Sequence, residues 1–155
     1  MSLQRIEDCP FCRIQKEAVF GESEHFLAVY NIAPILPGHS LVIPKRHVES
    51  LMDLTESELI EFMIFGRNIA KLLLKAFKTP AFNWTIQEKE EAGQTIAHLH
   101  MHIIPRKQGD LPQPGDWYPL LQKSQFEVID SSSRARLTTE QVQEMVSYIK
   151  NFSQI

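Results

Sequence analysis

The sequence predicts an α+β domain, an antiparallel sheet of about five strands with one long helix and a C-terminal helix packed on one side. Three observations predict it. Short apolar segments recur between turn residues, one long stretch repeats at helical spacing, and the first segments follow each other at hairpin-like distance. At 155 residues, 43% hydrophobic and 23% charged, the chain has the makings of a single domain able to bury a core. Its formal charge of −3 supplies no positive excess to draw a nucleic-acid backbone, so no nucleic-acid partner is expected.

The opening MSLQRIEDCPFCRIQKE lacks the basic start, apolar stretch and cleavage site of a secretory signal. No run of about 18 apolar residues occurs, so no membrane association is expected. Cys9 and Cys12 lie too close in sequence for a disulfide between them to constrain the unfolded chain much. A soluble, cytoplasmic protein is the expectation.

Strands are expected at 26–30 (FLAVY), 40–44 (SLVIP), 82–86 (FNWTI) and 98–104 (HLHMHII), with a weaker one around Val19–Gly21. The long helix opens on Thr55 as N-cap with Glu58 three residues on, a capping box. Leu59, Phe62, Met63, Ile69, Ala70, Leu73 and Phe77 then give one apolar stripe. Ile60, Ile64 and Phe65 fall off that stripe, which fits either a wide contact within the chain or a second subunit. Residues 108–116, rich in Pro and Gly, read as a mobile surface loop, and 130–136 (DSSSRAR) as a polar linker. A last helix from about Thr139 carries Val142, Met145, Val146, Ile149 and Phe152 on one face. Six glycines are present, and none forms a dinucleotide or P-loop spacing.

The chemistry concentrates in His98-Leu99-His100-Met101-His102. On an extended strand the three imidazoles share one face, about 6.6–6.8 Å apart, while Leu99, Met101 and Ile103 point into the core. Random placement rarely gives such a row. One reading makes all three ligands of a catalytic zinc, although regular spacing along one strand converges poorly on a single ion. The other is nucleophilic catalysis, in which a neutral imidazole attacks phosphorus and forms a transient phosphoramidate.

HLHMHII resembles the His-φ-His-φ-His-φ-φ signature of the histidine-triad (HIT) superfamily of nucleotide hydrolases and transferases. Upstream, AVYNIAPILPGHSLVIPKRH resembles that family's strand, Pro-Gly-His turn and strand, and EAGQT resembles its phosphate-binding loop. With Pro105-Arg106-Lys107 and Gly109-Asp110, the likeness covers Cys9 to about Tyr118. It implies one HIT domain over 1–155, with its core at about 9–118 and a C-terminal extension at 119–155. AVYN, EAGQT and PRKQGD are most similar to the fragile-histidine-triad branch, which cleaves diadenosine polyphosphates.

Carried over by position, the resemblance implies that His100 is the nucleophile and that His102 contacts phosphate oxygens and helps the leaving group depart. The same resemblance implies that His39 lies beside them and orients the triad. It further implies that Gln87 and Thr95 contact the leaving group and bridging oxygen, that Gly93 and Gln94 line the phosphate path, that Asn31 binds ribose hydroxyls, and that Phe26, Val29 and Leu41 wall the base pocket. On their own, Asn31 reads as a turn residue, Gln94 and Thr95 as polar loop, and Phe26 and Leu41 as core. The basic pairs Lys45-Arg46 and Arg106-Lys107 read as solvated strand ends or as steering charges. Trp117 and Tyr118 are placed to contact substrate from beyond the 108–116 loop.

Cys9-Pro-Phe-Cys12 is a pair of soft ligands, or else a free or redox-active CxxC. Similarity to bacterial-type members implies a structural zinc on Cys9, Cys12, His47 and His98, which would withdraw His98 from acid–base work. Glu88-Lys89-Glu90 depart from the branch pattern, where an Asp-Gly usually follows the Gln87 position. The resemblance implies an adenine (purine) nucleotide substrate, a homodimer and a nucleotidyl hydrolase acting through a nucleotidyl-histidine. The alternatives are a nucleoside phosphoramidase, a non-catalytic nucleotide sensor and, against the chain's charge, a DNA-end repair enzyme.

Overall fold

Short β-branched and aromatic runs between turn residues satisfy their backbone groups only by pairing with one another. In the computed structural model, which describes residues 6–126 and 136–153, five such runs form one antiparallel sheet. They are β1 (Val19–Glu22), β2 (Phe26–Tyr30), β3 (Ser40–Pro44), β4 (Ala81–Thr85) and β5 (Met101–Arg106), in the spatial order β1-β2-β3-β5-β4. β5 is therefore flanked on both sides. Leu41 of β3 and Thr85 of β4 both stand opposite His102.

β2 and β3 keep the expected bounds, whereas β4 begins one residue earlier than expected and β5 three residues later. The late start of β5 has a local cause. The Leu99 N–H donates to the Val48 carbonyl at 2.7 Å and the His98 N–H to Ile96 at 2.8 Å, so this part of the histidine segment bonds to loops.

Helix α1 (Glu56–Phe77) opens on the capping box read from the sequence, with Thr55 Oγ1 accepting from the Glu58 N–H at 3.1 Å and Glu58 Oε2 accepting from the Thr55 N–H at 2.8 Å. Its buried face includes Phe62, Ile69, Ala70, Leu73 and Phe77, as expected, together with Gly66 and Ala76. Met63 is a correction: it lies on the solvent side, because the helix meets the sheet through Gly66. A Cβ there would stand 2.8 Å from Met101 Sδ and 2.9 Å from the Trp84 ring. α1 therefore covers the Met101 face of β5, and alternation sends His100 and His102 to the opposite face.

A second helix, α2 (Trp117–Phe126), was not legible in the sequence. The 108–116 segment before it is pinned: Asp110 accepts two bonds from the Arg106 guanidinium, both at 2.8 Å, and Pro114 O accepts a third at 2.7 Å. Helix α3 (Thr139–Lys150) starts at the expected residue, capped by Thr138 and Gln141. It buries Val142, Val146 and Ile149, and Met145 and Phe152 pack against the same core. Two bonds dock this end of the chain, Leu137 N–H to Ile32 O at 2.8 Å and Tyr148 Oη to Ala76 O at 2.6 Å. Positions 130–135 of the expected linker fall outside the described residues. No described helix is long and apolar enough to cross a membrane.

Candidate active site

A chain of hydrogen bonds fixes where each imidazole proton sits. The Ile35 N–H donates to His39 Nδ1 at 3.2 Å, so His39 carries its own proton on Nε2. That Nε2–H donates to His102 Nδ1 at 2.9 Å, which leaves the His102 proton on Nε2. His102 Nε2 is buried and has no partner among the described residues, a donor ready for an incoming oxygen. At His100 the order is reversed. Its Nδ1–H donates to the His98 carbonyl at 2.8 Å, so Nε2 holds the lone pair.

The rings of His100 and His102 lie 4.9 Å apart, one offering a lone pair and the other a proton. Burial pushes the pKa of His100 below its ordinary value and that of His102 well below it, the latter helped by His39 and His100 nearby. Both are neutral at neutral pH. The triad does not converge on one ion: His102 turns to His39 and His98 turns to the cysteines. The catalytic-zinc reading of all three histidines is thereby set aside.

His98 Nε2–H donates to the Pro44 carbonyl at 2.9 Å, which leaves the Nδ1 lone pair as the atom that could ligate a metal. Nδ1 stands 3.4 Å from Cys9 Sγ and 3.6 Å from Cys12 Sγ, and Cys12 Sγ stands 3.3 Å from His47 Nδ1. These separations match the roughly 3.5 Å edges of a tetrahedron with zinc–sulfur bonds near 2.3 Å and zinc–nitrogen bonds near 2.0–2.1 Å. All four donor atoms lie within 4.8 Å of one another. Burial holds the His98 pKa down to about 4, so its Nδ1 lone pair is available. The four residues fit zinc.

A cavity of about 480 Å³ opens beside this arrangement, lined by Val29, Asn31 and Leu41 among others. Phe26 is a correction. It is fully buried, stacked on Phe62 of α1 at 4.9 Å, because residues three apart on a strand face opposite ways. Asn31 makes the turn bond its residue type favours, Oδ1 accepting from the Ala33 N–H at 2.9 Å, while Nδ2 lies 3.4 Å from the His39 ring. The sequence reading missed Phe11 and Ile14 on one wall of the cavity and Leu137 and Val142 on another. Phe11 also packs edge-on against His100 at 5.1 Å.

Gln87 is buried with no partner for Oε1 among the described residues, Gly93 is buried, and Thr95 is exposed where the loop turns toward the triad. The Gln94 side chain faces inward and does structural work: its Nε2 donates to Glu49 O at 3.0 Å and its Oε1 accepts from the Lys89 N–H at 2.8 Å. Arg46 and Arg106 are held by Glu58 and Asp110, so neither is a loose steering charge.

The HIT domain model matches residues 13–109, well over half of the chain. The chain belongs to the HIT family.

Among HIT relatives, the asymmetrical bis(5'-nucleosyl)-tetraphosphatase of Schizosaccharomyces pombe is 43% identical over 107 residues, 69% of this chain and 59% of that protein. The chain therefore spans under two thirds of that relative's length. The bis(5'-adenosyl)-triphosphatase of Dictyostelium discoideum is 36% identical over 110 residues, 71% of this chain and 74% of that protein. Of solved structures, a Zn-bound histidine triad family protein from Mycobacterium smegmatis superposes with a TM-score of 0.69 at 25% identity, covering 94% of this chain and 92% of that one. The HIT chain described here thus resembles the dinucleotide hydrolases by sequence and carries a cysteine pair suited to zinc.

Proposed function

We propose that this HIT protein hydrolyses dinucleoside polyphosphates through a covalent nucleotidyl-His100. The observation that carries the reading is the pair of opposite tautomers, the His100 Nε2 lone pair beside the unpartnered His102 Nε2–H. Two relatives named for cleaving such compounds support it.

The cavity takes an adenine (purine) nucleoside, with Val29 and Leu41 against the base and the Asn31 amide at the ribose. His100 Nε2 gives its lone pair to the α-phosphorus. The bond from phosphorus to the bridging oxygen breaks, and its electrons leave with the second nucleotide. Positive charge reaching Nδ1–H is met by the His98 carbonyl, and negative charge on the phosphate oxygens by His102 Nε2–H. Gln87 and the Gly93–Thr95 loop line the path of the departing phosphates. Water then attacks the same phosphorus, the P–N bond returns its electrons to Nε2, a proton passes to solvent and the monophosphate leaves.

Cys9, Cys12, His47 and His98 would hold zinc, which supplies a rigid tie between the N-terminal segment and the triad strand. His98 thereby becomes an anchor for His100. The 119–155 extension contributes the α3 wall of the cavity. The exposed Ile60 and Ile64 of α1 form the face of a homodimer.

Rapid mixing with diadenosine triphosphate, acid quenching and mass spectrometry test the reading. An adenylyl group on His100 is expected, and His100→Ala loses both the adduct and at least about 10³-fold in kcat/KM. A variant that lacks the ring and keeps wild-type turnover would sink it. Equal or faster turnover of adenosine 5'-phosphoramidate would point to a nitrogen leaving group, and tight binding without turnover to a sensor.

A further inference from the structure

Lys89 has the backbone of a glycine. Its φ of 72° and ψ of 165° lie where residues bearing a Cβ almost never go, and such a conformation persists only when its surroundings over-determine it. Here they do. The Lys89 N–H donates to Gln94 Oε1 at 2.8 Å, and the Lys89 carbonyl accepts from the N–H groups of Gln94 at 3.0 Å and Ala92 at 3.1 Å. The preceding Glu88 is fixed by accepting the Leu51 N–H at 2.8 Å.

The loop so held runs from Gln87, 7% exposed and with no partner for its Oε1 among the described residues, to Gly93. Lys89 itself is exposed, and no described residue pairs with its ammonium. Elsewhere on the described chain Lys45 is engaged by Glu22, Arg46 by Glu58 and Arg106 by Asp110. Glu90 and Glu91, next along the chain, form a 3₁₀ turn without taking up the lysine. An exposed ammonium thus stands on a hydrogen-bonded backbone two residues along the chain from Gln87, whose Oε1 has no partner among the described residues.

We propose that Lys89 determines leaving-group specificity, its ammonium engaging the phosphate chain that departs from the α-phosphorus. The proposal rests on the reading of His100 as the nucleophile toward dinucleoside polyphosphates. Each further phosphate adds negative charge for that ammonium to meet, so longer chains are favoured.

The test compares kcat/KM for diadenosine tetraphosphate and diadenosine triphosphate in the wild type and in Lys89→Met, Lys89→Arg and Lys89→Gly. The tetraphosphate-to-triphosphate ratio falls roughly twofold to fivefold in the Met and Gly variants and holds in the Arg variant. Salt at about 0.5 M brings the wild-type ratio toward that of Lys89→Met. Lys89→Gly, which relieves the backbone, melts higher than Lys89→Met, separating the effect of shape from that of charge. An unchanged ratio in Lys89→Met, in samples where wild-type His100 is adenylylated, overturns the role of Lys89 alone. Absence of that adduct in the wild type overturns the nucleophile reading, and this proposal with it.

Discussion

At His100 the proton sits on Nδ1 because a backbone carbonyl accepts it, and at His102 it sits on Nε2 because His39 already fills Nδ1. Two identical side chains two residues apart therefore hold opposite roles, set by neighbours rather than by residue type. Another pair works through charge. Arg46 beside Glu58 holds that carboxyl down to about 2 from an ordinary 4.5, and Glu58 also caps α1. Its pKa is lower folded than unfolded, so the pair's contribution is complete above about pH 4.5 and is lost as pH falls toward 2. Arg46→Met should lower Tm by about 2–4 °C at pH 7, consistent with about 1 kcal/mol. The gap between variant and wild type should close as pH falls toward the folded-state value; a gap that persists in acid would mean the loss is one of packing.

Among elements, α1 was the most legible in the sequence, because Thr55 and Glu58 mark its start and Phe62, Ile69 and Leu73 mark its buried face. Met63 misled because hydrophobicity says nothing of space: Gly66 and Ala76, small and unremarked, are what let the helix approach. Alternation in β2 separates Phe26 from Val29 and was readable in advance, but the likeness to a family placed both in one pocket. α2 follows a polar, proline-rich stretch that Arg106 gathers through Asp110 and Pro114, an arrangement that no hydrophobic periodicity announces. The outer flank of α1 keeps Ile60 at 60% and Ile64 at 47% exposure. Ile64→Glu should convert a dimer to a monomer in sedimentation while leaving the helical signal intact; a protein already monomeric at micromolar concentration would remove that role.

At the scale of the molecule, the four residues suited to zinc join distant parts of the chain, since Cys9 and Cys12 precede β1, His47 follows β3 and His98 leads into β5. Chelation or Cys9→Ser should take metal content from about one per chain to none and lower Tm by roughly 5–10 °C. It should also reduce turnover, because the carbonyl that sets the His100 proton belongs to His98. Metal-free protein with unchanged melting would show that core packing alone holds the strand. The ligand set came from family likeness, and the contacts of 3.3–3.6 Å give it a geometric basis that sequence spacing could not supply.

The hollow beside the histidines is walled at once by Phe11 and Ile14, near the beginning of the chain, and by Leu137 and Val142, near its end. A guest lodged there clasps the opening and closing stretches together. Binding of such a guest would therefore steady both wall segments, and loosening of either segment would weaken that binding by the free energy that couples the two.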